Sequence, residues 1–193
     1  MTAIDSDRSG IATATKSARE ARLAKRVSFR LADATAPLPF DAGQFDSLLC
    51  IDSMNHFPDR LQVFREWQRV LRPGGLALFT DPVVVTGPVT NDELALRSSI
   101  GLFLFAPPRV NEHLIASAGF RLVRQQDVTE SAALISGRWH AARQRQRETL
   151  LGIEGTERFE GLQRFFHAVH RLTFEKRLSR MVYVAQKVAG LPA

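Results

Sequence analysis

Four carboxylates stand where short apolar runs end. Asp5 closes TAID, Asp33 follows VSFRLA, Asp52 follows FDSLLCI, and Asp81 follows LALFT. A carboxylate offers two acceptor oxygens to hydroxyl or amino groups of a ligand. In an open parallel sheet, ligands bind beyond the carboxyl ends of the strands. One such acid is readily a cap or turn residue. Four in succession are not what core packing alone predicts. Ser53, Asn55 and His56 follow Asp52. His56 is the side chain suited to take a proton at neutral pH, with an unperturbed pKa of about 6.5. His167 and His170 share a helix face and His140 lies upstream, but no acid sits at a coordinating spacing, so no metal is expected. The single Cys50 excludes an internal disulfide and a multi-cysteine zinc site.

The elements that must position these residues alternate between strand and helix. Residues 2–5 read as a short strand, 9–24 as an alanine-rich helix and 27–31 as a strand. ATAPLPFDAG is a Pro/Gly loop, and 45–51 is a continuous apolar run of the kind found in buried parallel strands. Asp59 is placed to cap a helix whose stripe runs through Leu61, Phe64, Trp67, Val70 and Leu71. Arg72-Pro73-Gly74-Gly75 is expected to end it, and 76–80 is the next strand. This order predicts an α/β fold with a parallel sheet. DPVVVTGPVTND then reads as a loop and ELALRSSIGLFLF as an apolar helix, either packed in the core or lying as a lid over a substrate. A helix after Pro107-Pro108, a strand at 120–128, two helices and a β-rich segment at 180–188 complete the chain. Trp139, Phe165 and Phe166 are candidates for an apolar pocket wall.

Composition limits the alternatives. The chain has 193 residues, 45% apolar and 24% charged, which fits one globular domain and argues against wholesale disorder. Its longest apolar run, at 100–106, is far short of a membrane span. MTAIDSDRSG has no signal-peptide core, so a cytoplasmic location is expected. Residues 1–136 hold 15 basic and 15 acidic side chains, so the net charge of +6 comes from 137–193. That excess raises nucleic acid as a partner. Arg138, Arg143, Arg145 and Arg147 are not interleaved with stacking aromatics, so a solvated helix face is the favoured reading.

Three stretches, TAIDSD, LADATAPLPFDAGQFDSLLCIDSMNHFPD and FREWQRVLRPGGLALFTDP, occur in the order and spacing of one family. The chain resembles the class I S-adenosylmethionine-dependent methyltransferases of the small-molecule type. AGFRLVRQQDVTES is similar to that family's sixth strand. The resemblance implies a Rossmann-like methyltransferase sheet with helices on both faces, plus a helical insertion or cap. It implies S-adenosyl-L-methionine as cofactor. Asp5 would hold the ribose hydroxyls, Ser6 would lie against the adenine, and Asp33 with the Ala34 N–H would meet the adenine amino group. Ile51 and Asp52 would line the methionine end, and His56 would face the substrate as the catalytic residue.

The family's first strand and its Gly-rich turn have no counterpart ahead of TAID. The fold is therefore expected to be incomplete at the N-terminus, by roughly 40 to 60 residues on domain-size norms. The chain is expected to form a single domain, with a cofactor side at 1–82, an insertion and helix at 83–118, and substrate-side elements at 119–193. The expected function is methyl transfer to a small molecule with an apolar body. The alternatives are a degenerate, non-catalytic binding protein using a homodimer surface, and an RNA methyltransferase.

Overall fold

The computed structural model describes residues 1–188 of the chain. β1 (Thr2–Asp5) and β2 (Ser28–Leu31) form a two-stranded parallel sheet, joined by α1 (Arg8–Glu20). Asp7 caps α1 by accepting from the Ser9 and Gly10 backbone N–H groups. The helix ends at Glu20, short of the expected 24, because residues beyond it turn back with Arg22 at φ 58°.

The second sheet has the order β3-β4-β6-β5. β3 (Phe45–Cys50) pairs parallel to β4 (Leu71–Val85). β6 (Leu178–Lys187) runs antiparallel to both β4 and β5 (Phe120–Asp127). The sheet is thus mixed, where the alternating pattern predicted a parallel one. A long C-terminal return lets β6 insert between its neighbours from the opposite direction. β3 is less buried than a continuous apolar run predicts, with Leu49 68% exposed.

α2 (Arg60–Val70) begins where Asp59 accepts from the Gln62 N–H. Its stripe of Val63, Phe64, Trp67 and Val70 packs on Ala77 and Phe79 of β4 and Tyr183 of β6. Ile115 of α4 (Val110–Ser117) joins the same core. Phe79 and Tyr183 stack with ring centroids 4.8 Å apart. Such aromatic pairs add about 0.5–1.5 kcal/mol beyond their burial.

β4 corrects two expectations. Arg72-Pro-Gly-Gly does not form a separate helix cap but lies inside the strand, where pairing jumps from Phe45↔Leu71 to Ser47↔Leu76. Gly74 takes φ +78° there, and a Cβ at Gly75 would come within 2.9 Å of the Arg72 carbonyl oxygen. Nor does the strand stop before Asp81-Pro82. It continues to Val85 because β6 pairs with Val84 and Val85 after a second irregularity. The apolar helix expected over 93–105 is also corrected. α3 (Asn91–Arg97) stops at Arg97, and the chain then becomes non-helical, with Leu104 donating its N–H to the Asn55 carbonyl. The bridge of Ala106 to Val84 ties the end of this segment to the sheet.

α5 (Thr129–Arg145), α6 (Arg147–Glu154) and α7 (Thr156–Phe174) follow β5. They are three helices where two were expected, since the chain breaks at Gln146. α5 packs along α7, and both reach β6. Among the described residues, no helix is long and apolar enough to cross a membrane.

Candidate active site

The β1–β2 pair places two acids at neighbouring strand ends. Asp5 is the last residue of β1 and registers with Leu31, two residues before Asp33. Asp5 accepts the Asp7 N–H through Oδ1 at 2.9 Å. Asp33 Oδ1 accepts the Thr35 N–H at 2.8 Å and the Thr35 hydroxyl at 2.7 Å. Those bonds, the backbone one foremost, hold the Asp33 carboxyl below its usual range. Both side chains are exposed. Each uses one oxygen for a local turn and keeps the other open to a donor. This donor-free, acceptor-rich edge fits the hydroxyl and amino groups of a nucleoside. Ser6 is exposed and Ala34 half-buried beside them.

At the end of β3 the geometry is tighter. Ile51 is 52% exposed. Asp52 adopts φ 54°, a left-handed conformation that Asp tolerates better than most residues. The Thr80 hydroxyl fixes it from both sides, accepting the Asp52 N–H and donating to Oδ1, each at 2.8 Å. Asp52 Oδ2 lies 2.9 Å from Arg180 Nη2. Thr80 and Arg180 were not singled out from the sequence. Their role comes from β4 and β6 meeting β3, which no local pattern encodes. Cys50, the residue before this turn, has its thiol pushed up to about 11 by burial, so it is a poor nucleophile.

His56 ends a short 3-10 turn, Met54–His56. Its Nδ1 donates to the Leu102 carbonyl at 2.6 Å. A carbonyl only accepts, so the neutral ring carries its proton on Nδ1 and leaves Nε2 with a lone pair. The Asn55 amide nitrogen lies 3.2 Å from Nε2. Phe103 packs edge-on against the ring with centroids 5.1 Å apart.

Asp81 behaves differently from the other three strand-end acids. It is fully buried, and its Oδ2 accepts from Arg60 Nη1 at 2.6 Å and from Asn111 Nδ2 at 2.9 Å. Arg60 also donates to Asn111 Oδ1 and the Leu104 carbonyl. Asp81 lies inside β4, and no lone pair of its Oδ2 remains for a ligand. It ties α2, α4 and β4 together.

The three histidines of α5 and α7 come close, with His140 and His167 centroids 5.5 Å apart. His170 Nδ1 bonds the Ala133 carbonyl. Among the described residues no group of three or more His, Cys, Asp or Glu could hold a metal. Trp139 and Phe165 both contact Phe166, but Trp139 is 59% exposed. An open cleft of about 710 Å³ lies at the opposite end of β1 and β2, against Thr2, Ser28 and Phe40, and contains none of the acids above.

This architecture is the Rossmann-like fold seen in methyltransferases of known structure. Residues 1–79 match the methyltransferase domain family. Methyltransferase GfsG of Streptomyces halstedii is 42% identical over 118 residues, covering 58% of this chain and 41% of that protein. The 27-O-demethylrifamycin SV methyltransferase of Amycolatopsis mediterranei is 31% identical over 133 residues, covering 67% and 48%. The matched part thus spans less than half the length of either relative. The fold superposes on the cyclopropane synthase MmaA2 of Mycobacterium tuberculosis with a TM-score of 0.85 at 19% identity, over 96% of this chain and 69% of that one.

Proposed function

We propose that the chain binds S-adenosylmethionine and transfers its methyl group to a small molecule with an apolar body. The observation that carries this reading is the pair Asp5 and Asp33. Asp5 ends β1 and Asp33 follows the end of its parallel neighbour β2 by two residues, inside the family-matched segment, each with an oxygen open to a ligand donor. The cofactor, when bound, supplies an electrophilic methyl on a sulfonium. The chain's task is then to hold the nucleoside and align an acceptor. Asp5 takes the ribose hydroxyls, Asp33 with Ala34 takes the adenine amino edge, and Ser6 lies against the base. Ile51 and Asp52 border the methionine end. The relative named as a 27-O-demethylrifamycin SV methyltransferase favours a small molecule over nucleic acid as acceptor. In domain terms, 1–82 forms the cofactor side, and 83–118 with 119–193 form the acceptor side of one domain.

His56 positions the acceptor and takes its proton at Nε2. In the structure that lone pair faces the Asn55 amide, so an acceptor hydroxyl or amine must displace this bond to be deprotonated. Its Nδ1 bond to Leu102 fixes the tautomer that makes Nε2 the base.

Calorimetry with S-adenosylhomocysteine tests the cofactor assignment. Asp5→Ala and Asp33→Ala should each weaken binding by about 1–3 kcal/mol, the range for a hydrogen bond to a charged group. Unchanged affinity in both, with the fold retained, defeats it. For His56→Ala, turnover should fall about 10²–10⁴-fold with cofactor affinity nearly constant. An equal loss of cofactor binding would make the residue structural.

A further inference from the structure

Arg97 is the buried cation that the proposed chemistry does not use. It ends α3 and is 7% exposed. Its guanidinium sits 4.3 Å from the Phe103 ring centroid and 5.1 Å from that of Phe165. Nη1 is buried with no hydrogen-bond partner. Other arginines sheltered from solvent are paired: Arg60 with Asp81, Arg143 with Glu154, Arg177 with Glu93. Arg97 has no such carboxylate among the described residues. Two phenyl faces attract a cation, but they accept none of its N–H groups in the plane of the fork.

We propose that Arg97 is the seat for a carboxylate of the methyl acceptor. The reading rests on the methyltransferase assignment of the neighbouring site. Three observations locate the seat beside the proposed chemistry. Phe103, which covers Arg97, also packs on His56. Leu102, one residue earlier, carries the carbonyl that orients the His56 ring. Asp52 is the acid whose charge acts on Arg97, and it is already paired with Arg180. Two guanidinium groups therefore share one carboxylate, which leaves one positive charge unbalanced. Burial pulls the Arg97 pKa down to about 10, so it stays charged at neutral pH. A planar, forked donor suits a carboxylate, which can accept two parallel N–H groups. The flanking Phe103 and Phe165 rings call for an aromatic or alkyl body beside that carboxylate.

The acceptor is one source of a carboxylate and the methionine end of the cofactor is another, so the experiment separates them. The chain is titrated with phenylacetate and with its neutral isostere phenylacetamide, followed by NMR and thermal shift. The expected result is a preference for phenylacetate of about tenfold or more, the size of one charge-assisted hydrogen bond. Arg97→Met, which keeps apolar bulk, should abolish the preference. Arg97→Lys, which keeps the charge without the fork, should retain part of it. If Arg97→Met does not fold, the Arg97 side-chain ¹⁵N signals of the unaltered chain must shift with phenylacetate and not with phenylacetamide. No preference in the unaltered chain overturns the proposal. So does an Arg97→Met variant that weakens S-adenosylhomocysteine more than methylthioadenosine, which lacks the carboxylate, because the cofactor would then own the seat. An Arg97-dependent preference in a chain that binds no S-adenosylhomocysteine upholds the seat and removes the methyltransferase reading. Cofactor binding without the preference does the reverse.

Discussion

Asp5 and Asp81 follow runs that look alike in sequence, TAI and LALFT, and the structure puts them to opposite uses. Asp5, with Asp33, stands exposed at the end of a two-stranded sheet, and only local turn donors meet it. Asp81 is inside a fifteen-residue strand, saturated by Arg60 and Asn111. What separates them is the number of elements packed around the strand end. A carboxylate enclosed on every side must be paired to stay charged, and pairing removes it from ligand chemistry. A carboxylate at an open edge keeps an acceptor for something else.

The largest expected effect tests the enclosed half of this contrast. Asp81→Ala leaves Arg60 buried without its carboxylate and should cost about 3–5 kcal/mol of stability, read by urea denaturation. A loss under about 1 kcal/mol would mean that water reaches Arg60 and that Asp81 is no lynchpin.

A smaller effect concerns Glu93, which belongs with Asp81 in use although it sits on a peripheral helix. Arg177 hydrogen bonds, then the Thr90 backbone N–H, pull its carboxyl down to about 2 from 4.5. Above pH 4.5 the folded and unfolded chains both carry the charge, and the stabilisation is fully present. As the pH falls from 4.5 toward 2 the unfolded chain takes up the proton first, and the stabilisation drains away. The gap in melting temperature between the parent and Glu93→Gln should therefore close across that window. A constant gap would show that the Arg177 contact does not persist in solution.

The smallest effect belongs to the open edge. Asp5→Ala and Asp33→Ala should each change stability in the absence of ligand by no more than about 0.5 kcal/mol, the usual range for surface sites. A larger cost at either would move that acid to the structural side of the comparison.

The helix stripes and caps were legible because they are local. Asp59, three residues before Gln62, announces α2, and Phe64, Trp67 and Val70 announce its buried face. The order of elements, with the family resemblance, was enough for the α/β architecture. The extent of β4 was not legible. Pro-Gly-Gly and Asp-Pro are turn signals by themselves, and partners on both sides of the strand overrule them. The direction of β6 has no local signature at all. For the site, the acids and His56 could be placed at strand ends, but which acid is enclosed depends on Arg60 and Asn111, 21 and 30 residues distant in sequence. Arg97 and Arg180 were missed because a single arginine reads as surface until its neighbours are known. The one clue was an arginine set directly before the apolar SSIGLFLF.

The separation of the two sheets has a dynamic consequence. Among the described residues, β1, α1 and β2 share no backbone hydrogen bond with β3 to β6. They are joined to the rest by side chains such as Ile4 against the core and Arg30 to the Pro39 carbonyl. Such a unit can lift away at less cost than global unfolding, and its amides should exchange with solvent sooner than those of β4 and β6. A ligand held by both Asp5 and Asp52 would bridge the two parts, and its binding would slow that exchange in proportion to its occupancy.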